Sequence, residues 1–279
     1  MKNIIIFGLN GQISSALIKK LTLETTYNIT VFSSKDVDFS NLEQLKYFLN
    51  NLNIAIDLII NCCAYTNVDK AEEETEICDK INHQAVKIIA DFCSQKVIKF
   101  IHYSTDYVFD GKGDQPFEAS NQHNLHPINY YGLSKLNGEK AILNSNCDYL
   151  IIRVSWVFDH NPQHRNFYNT IKKLALQKEE LQIIDDQIGS PTNADFIAEK
   201  TILILKEIPK NPQIFAKKII HLNNGVFMSW YDFAVKIINE LQQSGVKVLV
   251  KKITRIKSLD YNSKAKRPLN SRLKNTIEI

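Results

Sequence analysis

The chain has 279 residues, 44% of them hydrophobic and 23% charged, with a net charge of +4. This length suits one large α/β domain or a domain with a smaller lobe, and this composition argues against disorder. The chain enters an apolar segment directly after its first three residues, so we expect no signal peptide. No apolar run approaches the ~20 residues that a membrane span needs, so we expect no membrane partner.

Five apolar runs alternate with amphipathic segments along the first half of the chain. The runs predict buried strands at 4–7, 29–32, 58–61, 99–103 and 150–154. The amphipathic segments predict helices at 12–23, 41–52, 70–95 and 130–144. Alternation of this kind, with strands that are apolar throughout, predicts an α/β fold with a doubly wound parallel sheet of the Rossmann type.

The pattern changes after Trp156. A polar loop leads to a predicted helix at 167–177, a strand at 181–184 and a helix at 195–206. We therefore expect a dinucleotide-binding domain at 1–155 and a mostly substrate-binding lobe at 156–279, with the helix at about 195–206 returning to the first domain.

Glycines follow the first predicted strand as Gly8-Leu-Asn-Gly11. Glycines at this point allow a tight turn and let a pyrophosphate approach backbone N–H groups at a helix N-terminus. Ser14 stands where a third glycine would complete the motif, and it is small enough for close helix–strand packing. A purely structural turn is the alternative.

The second predicted strand ends without the acid that would bind an unphosphorylated ribose. Ser33 and Lys35 are there instead, and a hydroxyl and an ammonium can bind a 2′-phosphate. We therefore favour NADPH over NADH.

Tyr131 and Lys135 lie four residues apart in the predicted helix at 130–144. This spacing places both side chains on one face. A free phenol titrates near ~10, and a nearby ammonium lowers that pKa toward the range useful for proton transfer. The pair therefore indicates acid–base chemistry.

Three further features bear on partners and location. The basic residues concentrate in 247–272, which we interpret as a solvated face. A binding site for an anion, with Arg267 on phosphates, is the alternative, and no nucleic-acid motif accompanies the segment. The five cysteines are odd in number and form no Cys-x-x-Cys pair, which indicates reduced thiols in a cytoplasmic protein. His160 and His164 lie beside a turn, so we expect no metal site.

Several motifs together resemble the dTDP-4-dehydrorhamnose reductase family of extended short-chain dehydrogenases/reductases. The resemblance covers nearly the whole chain and is carried by Asn61-Cys-Cys-Ala-Tyr-Thr-Asn-Val-Asp-Lys-Ala-Glu72, Ser104-Thr-Asp-Tyr-Val-Phe-Asp-Gly111, Tyr131-Gly-Leu-Ser-Lys-Leu-Asn-Gly-Glu139, Arg153-Val-Ser-Trp-Val-Phe158, Asp185-Asp-Gln-Ile-Gly-Ser-Pro-Thr192 and Arg267-Pro-Leu-Asn-Ser271.

The resemblance implies a site on this chain. Tyr131 would be the proton donor, Lys135 its activator and a contact to the nicotinamide ribose, and Thr105 a hydroxyl on the reacting carbonyl. Thr105, Asp106 and Trp156 would meet the sugar. The implied cofactor contacts are Gly8, Gly11, Gln12, Ile13, Asp38, Phe39, Tyr103 and, after the fourth strand, Cys63, Ala64 and Tyr65.

The implied reaction is the reduction of dTDP-4-dehydro-L-rhamnose to dTDP-L-rhamnose with NADPH (NADH possible), for surface polysaccharide such as O-antigen lipopolysaccharide. A related 4-keto sugar nucleotide, or a non-catalytic regulatory subunit that binds a cofactor, are the alternatives. Ala16 stands where some dimeric members carry a magnesium-binding Glu, so we expect no metal-bridged dimer and leave the oligomeric state open. The family usually continues into a final helix beyond Leu273, so stability or closure on the substrate is expected to differ here.

Overall fold

The computed structural model describes residues 2–121, 123–208, 210, 213 and 217–276. A sheet of six parallel strands forms its centre. If these six strands are counted one to six along the chain, they lie side by side in the order two, one, three, four, five, six. The strands are β1 (Lys2–Phe7), β2 (Tyr27–Phe32), β3 (Leu58–Asn61), β4 (Lys99–Thr105), β5 (Tyr149–Val154) and β10 (Lys218–His221). The five apolar runs and the doubly wound sheet predicted from them are confirmed.

Helices cover the sheet and extend beyond it. They are α1 (Gln12–Leu21), α2 (Leu42–Asn50), α3 (Val68–Ala71), α4 (Thr75–Asp79), α5 (Ala85–Lys96), α6 (Tyr130–Leu143), α7 (Phe167–Ala175), α8 (Ala194–Glu207) and α9 (Trp230–Gln243). The helix predicted at 70–95 is divided into α3, α4 and α5, with a π-helical turn at Lys80–Gln84 joining the last two. Short strands complete the described chain: β6 (Val157–Phe158), β7 (Glu180–Ile184), β8 (Ile188–Gly189), β9 (Thr192–Asn193), β11 (Met228–Ser229) and β12 (Lys252–Ile256).

Both faces of the sheet are buried, which explains why its strands are apolar at successive positions. Ile4 and Ile6 of β1 pack with Leu17 of α1 on one face. Ile5 and Phe7 pack with α2 and α5 on the other. Helix α8 packs in the first of these clusters, beside α1.

A separate apolar cluster joins α7, α9 and β7 through Ile171, Leu181, Phe233 and Ile237. Strand β12 pairs in parallel with β7 beside this cluster. Strand β10 returns to the large sheet and pairs with β5, which the sequence did not indicate. The division of the chain at residue 155 stays a prediction.

Other features of the described residues bear on partners. No helix among them is long and apolar enough to cross a membrane. All five cysteines are free thiols, and no group of three or more acidic, His or Cys side chains within the described ranges could hold a metal ion. Cations of the basic segment form ion pairs with carboxylates: Lys251–Glu179, Arg255–Asp185, Lys264–Glu73 and Arg267–Asp69. Lys251, Arg255 and Lys264 are exposed, as a solvated face predicts, whereas the Arg267 side chain is only 22% exposed and its role on phosphates stays a prediction.

Candidate active site

The glycine turn lies where β1 ends, at the edge of the sheet where the chain order reverses between β1 and β3. Gly8 has a φ of +102°, and a Cβ there would come within 3.2 Å of Cys63 Sγ. Glycine is therefore required both by the backbone conformation and by the close approach of the Cys62–Cys63 backbone. In open α/β sheets, ligands bind at such a switch point.

Gly11 is the N-cap of α1, and no described side chain caps this helix end. The Ser14 hydroxyl donates to Gly11 O at 3.0 Å and accepts from Gly11 N–H at 3.1 Å, so Ser14 holds the turn in place of the third glycine. The first helical residues, Gln12 and Ile13, present backbone N–H groups at this end. Asn166 donates to Gln12 Oε1 at 2.8 Å, which links this end of α1 to the start of α7.

At the end of β2, the Ser33 hydroxyl and N–H both donate to Asp36 Oδ2 at 2.7 Å. Asp36 is the acid that sequence reasoning missed here, because it lies four residues beyond the strand end. Lys35 is exposed, Asp38 accepts from Ser40, and the buried ring of Phe39 packs edge-on against Phe7. The Ser33 hydroxyl is thus engaged by a carboxylate.

Cys63, Ala64 and Tyr65 follow β3, which is the third strand along the chain and not the fourth. The buried Asn82 in the π-helical turn fixes this segment: Tyr65 N–H donates to Asn82 Oδ1 at 2.8 Å, and Asn82 Nδ2 donates to Tyr65 O at 3.0 Å. Asn82 Nδ2 also donates to Ser134 Oγ at 3.0 Å. Sequence reasoning missed Asn82; no local signal marks it.

Thr105 and Tyr131 are brought together by the packing of α6 on the end of β4. The Thr105 side chain lies close enough to the Tyr131 phenol to lower its pKa. Gly132 makes this possible, because a Cβ there would lie 2.2 Å from Tyr107 O. The Tyr107 ring packs edge-on against Tyr131 with the ring centroids 5.6 Å apart.

The direction of the Tyr131 pKa differs from the one expected from sequence. Burial raises the pKa of Tyr131 well above its ordinary value, and the charge of Asp106 raises it further, while the neighbouring Thr105 side chain opposes both. Lys135 does not act on it in this structure: its Nζ donates to Tyr103 O at 2.7 Å and lies 3.1 Å from His102 Nε2. A phenol with a raised pKa stays protonated, which is the state that a proton donor needs.

Trp156 lies at the junction with the α7–α9 cluster. Its indole stacks on Trp230 at 3.4 Å with an interplanar angle of 5°. A Cβ on Gly189 would come within 2.3 Å of the Trp156 ring, so the indole is enclosed between a glycine and a tryptophan. Trp156 has a φ of +49°, an uncommon conformation for a non-glycine residue. Sequence reasoning missed its partner Trp230, which begins α9.

A family model described as RmlD substrate binding domain matches residues 1–277. The chain belongs to this family. It is 35% identical over 275 residues to the dTDP-4-dehydrorhamnose reductase of Escherichia coli K12, covering 97% of this chain and 89% of that protein. It is 32% identical to the spore coat polysaccharide biosynthesis protein SpsK of Bacillus subtilis, covering 97% and 88%. The crystal structure of dTDP-4-dehydrorhamnose reductase from Bacillus anthracis in complex with NADP matches with a TM-score of 0.85 at 31% identity, covering 99% and 92%.

Within this member of the RmlD family, Asp106 is the buried carboxylate nearest to the hydroxyl pair. Thr105 Oγ1 donates to Asp106 Oδ1 at 3.1 Å. Burial raises the pKa of Asp106 from 3.8 to about 6, although the hydrogen bond from Thr105 to Oδ1 opposes the shift; Asp106 Oδ2 is buried without a hydrogen-bond partner. The ionised form is therefore costly in the folded state.

Asp106→Asn is expected to stabilise the protein at neutral pH. Because the pKa is raised on folding, wild-type stability falls as pH rises from about 4 to about 6 and stays lower above that range. The variant lacks this loss, which corresponds to at most about 3 kcal/mol of unfolding free energy at pH 7. Urea unfolding at pH 5 and pH 8 measures the gain in unfolding free energy of the variant over wild type, which is larger at pH 8. The control is Asp36→Asn at an exposed carboxylate whose pKa is lowered by Ser33, which gives no gain. Equal stability of wild type and Asp106→Asn at pH 8 would contradict the expectation.

Proposed function

We propose that this protein reduces the 4-keto group of a dTDP-linked 6-deoxyhexose, converting dTDP-4-dehydro-L-rhamnose to dTDP-L-rhamnose with NADPH. The observation that carries the proposal is the Thr105 hydroxyl at the carboxyl end of β4, which lies beside Tyr131 on the helix that also carries Lys135. Thr105 is buried and Tyr131 is half-buried. The names of the relatives support the same reaction. The product would serve the synthesis of surface polysaccharide.

Tyr131 is the proton donor in this proposal. As the carbonyl carbon accepts hydride, its oxygen gains negative charge, and a phenol held at that oxygen gives up its proton. Thr105 supplies a second hydroxyl, and the two donors stabilise the developing alkoxide in the manner of an oxyanion hole. For the Thr105 hydroxyl to donate to substrate, its hydrogen leaves Asp106, which lies 3.1 Å away.

The residues at the glycine turn fit a dinucleotide. A Cβ at Gly8 would fill space against Cys63, and the uncapped N-terminus of α1 offers N–H groups and a favourable dipole to a pyrophosphate. When bound, the dihydronicotinamide supplies the hydride. Gly8, Gly11, Gln12 and Ile13 would hold the pyrophosphate.

The ends of β2 and β3 would complete the cofactor site: Lys35 on a 2′-phosphate, Ser33, Asp38 and Phe39 near the adenosine, and Cys63, Ala64, Tyr65 and Tyr103 along the dinucleotide. The Asp36 carboxylate beside Ser33 weakens the case for a 2′-phosphate there, so the preference for NADPH rests on Lys35 and on the NADP in the related structure. Trp156 and the part of the chain after residue 155 would bind the sugar nucleotide. The reduced cysteines support a cytoplasmic location.

The test follows absorbance at 340 nm with purified protein, NADPH and enzymatically generated dTDP-4-dehydro-L-rhamnose. Oxidation that requires both the protein and the sugar nucleotide is expected, and the same assay with NADH compares the two cofactors. NADPH binding without turnover, for this sugar and for related 4-keto sugar nucleotides, would overturn the proposal in favour of a regulatory subunit.

A further inference from the structure

A chain of buried hydrogen bonds ends on the Lys135 amine. Cys63 N–H donates to Asn61 Oδ1 at 2.9 Å, and Asn61 Nδ2 lies 3.2 Å from His102 Nδ1. His102 Nε2 lies 3.1 Å from Lys135 Nζ, which donates in turn to Tyr103 O at 2.7 Å. Asn61 and His102 are fully buried and Lys135 nearly so, so water cannot replace a missing partner.

The donors and acceptors in this chain have a fixed direction. A backbone N–H can only donate, so Cys63 requires the oxygen of the Asn61 amide and leaves its NH₂ group facing His102. His102 Nδ1 must then accept, which places the single proton of the neutral imidazole on Nε2. That N–H points at Lys135, and an amine can accept a hydrogen bond only when it is neutral.

A protonated Lys135 would leave one donor–donor contact in the chain. If the ammonium donates to His102 Nε2, then Nδ1–H faces the NH₂ group of Asn61. If the Asn61 amide turns over, its NH₂ group faces Cys63 N–H instead. The unmatched contact can move along the chain but cannot be removed, and an unsatisfied buried donor is costly.

We propose that Asn61 and His102 are positioning residues that aim Lys135 at Tyr103 O and favour its neutral amine over the ammonium. This inference deepens the proposed function, on which its catalytic meaning rests: a larger neutral fraction of Lys135 gives Tyr131 a weaker cationic neighbour.

The charges around Lys135 agree with this preference. Burial lowers the pKa of Lys135 from 10.5 to about 8, so the neutral amine is far more accessible than in an ordinary lysine, while the ammonium still predominates at pH 7. The groups that raise it are Glu139 on the same helix, Cys78 of α4, and Cys62 and Cys63 after β3. All three thiols have raised pKa values and are uncharged near pH 8. The Glu139 carboxylate is paired with Arg153, and the buried His102 has a pKa well below 6.5.

Two substitutions change the chain of hydrogen bonds, and the order of donors and acceptors in it predicts their effect. Asn61→Asp offers two acceptor oxygens, so His102 Nδ1 can carry the proton and Nε2 can accept from an ammonium. His102→Gln keeps a polar group near the Nε2 position that can turn its oxygen to Lys135. Both variants should raise the pKa of Lys135 by roughly 1–2 pH units. Cys62→Ala is the matched control, because it changes packing beside Lys135 and leaves every group of the chain in place.

The experiment is ¹⁵N NMR of the lysine Nζ groups in the cofactor-free protein from pH 6 to 11, with the Lys135 signal assigned by its loss in Lys135→Met. Titration of Lys135 near pH 8 in wild type and Cys62→Ala, and clearly higher in His102→Gln and Asn61→Asp, supports the proposal. Titration near 10.5 in wild type, or at the same pH in wild type and His102→Gln, would overturn it. The buried carboxylate of Asn61→Asp can prevent folding, and His102→Gln alone then decides.

Because no substrate is present, this result does not depend on the sugar nucleotide. Absence of turnover would count against the proposed function while the titration still tests the hydrogen-bond chain. If both hold, the pH at which kcat changes should move in His102→Gln in the direction of the Lys135 titration, which a merely structural role of His102 would not cause.

Discussion

Replacing Tyr131 with phenylalanine is expected to lower kcat on the order of 10²–10⁴-fold, the usual contribution of a general acid. The variant keeps the ring that packs edge-on against Tyr107 and removes only the hydroxyl, which lies beside Thr105. Cofactor affinity should therefore stay within about twofold of wild type, since the loss is confined to the transition state. Steady-state kinetics at 340 nm and an NADPH titration measure the two quantities separately.

Tyr107→Phe is the matched control for this prediction. Tyr107 is a second half-buried phenol in contact with Tyr131, and its contact with Thr105 is made by the backbone N–H, which the substitution keeps. Removing its hydroxyl is expected to change kcat far less. Comparable kcat values for wild type and Tyr131→Phe would show that another group donates the proton.

The sheet could be predicted from the sequence because each strand is buried on both faces and is therefore apolar throughout. The position of Tyr131 and Lys135 on one helix face followed from their spacing of four. Gly8 was recognisable because its turn follows the first strand directly. In each case the signal lies within a few residues of the feature that it predicts.

The remaining features depend on contacts between distant parts of the chain. Asn61 meets His102 across 41 positions and Trp156 meets Trp230 across the boundary of two clusters, and neither pair has a local signal. The Tyr131 pKa was expected in the wrong direction for a related reason. Spacing gives the face of a helix but not the depth of burial, and burial dominates the pKa here.

Breaking the ion pair of Glu139 and Arg153 is expected to destabilise the protein by about 3–5 kcal/mol. The pair is bidentate, with Arg153 Nε 2.9 Å from Oε1 and Nη2 2.6 Å from Oε2, and both side chains are fully or almost fully buried. Glu139→Leu leaves the guanidinium without its counter-ion, over the face of Phe109 and against the neutral His221. Urea unfolding at pH 7 measures the loss.

The double variant Glu139→Leu with Arg153→Met separates the cost of an unpaired charge from the net value of the pair. Replacing both partners by apolar side chains removes the desolvation cost along with the attraction, so most of the lost stability should return. Asp91→Asn, which breaks the exposed pair with Lys87, is the control and should cost no more than about 0.5 kcal/mol. A double variant as unstable as Glu139→Leu would show that the pair contributes more than charge balance.

The same double variant bears on the active site, because Glu139 lies one helical turn beyond Lys135 and its charge raises the pKa of that amine. Without Glu139, burial and the His102 contact act on Lys135 unopposed by a carboxylate, so its pKa should fall further below 8. A stable double variant with a lowered Lys135 pKa would indicate that the Glu139 carboxylate is needed to set the pKa of Lys135 and not for stability. Since a neutral core would serve stability equally well, the Lys135 titration distinguishes a functional role of the pair from a structural one.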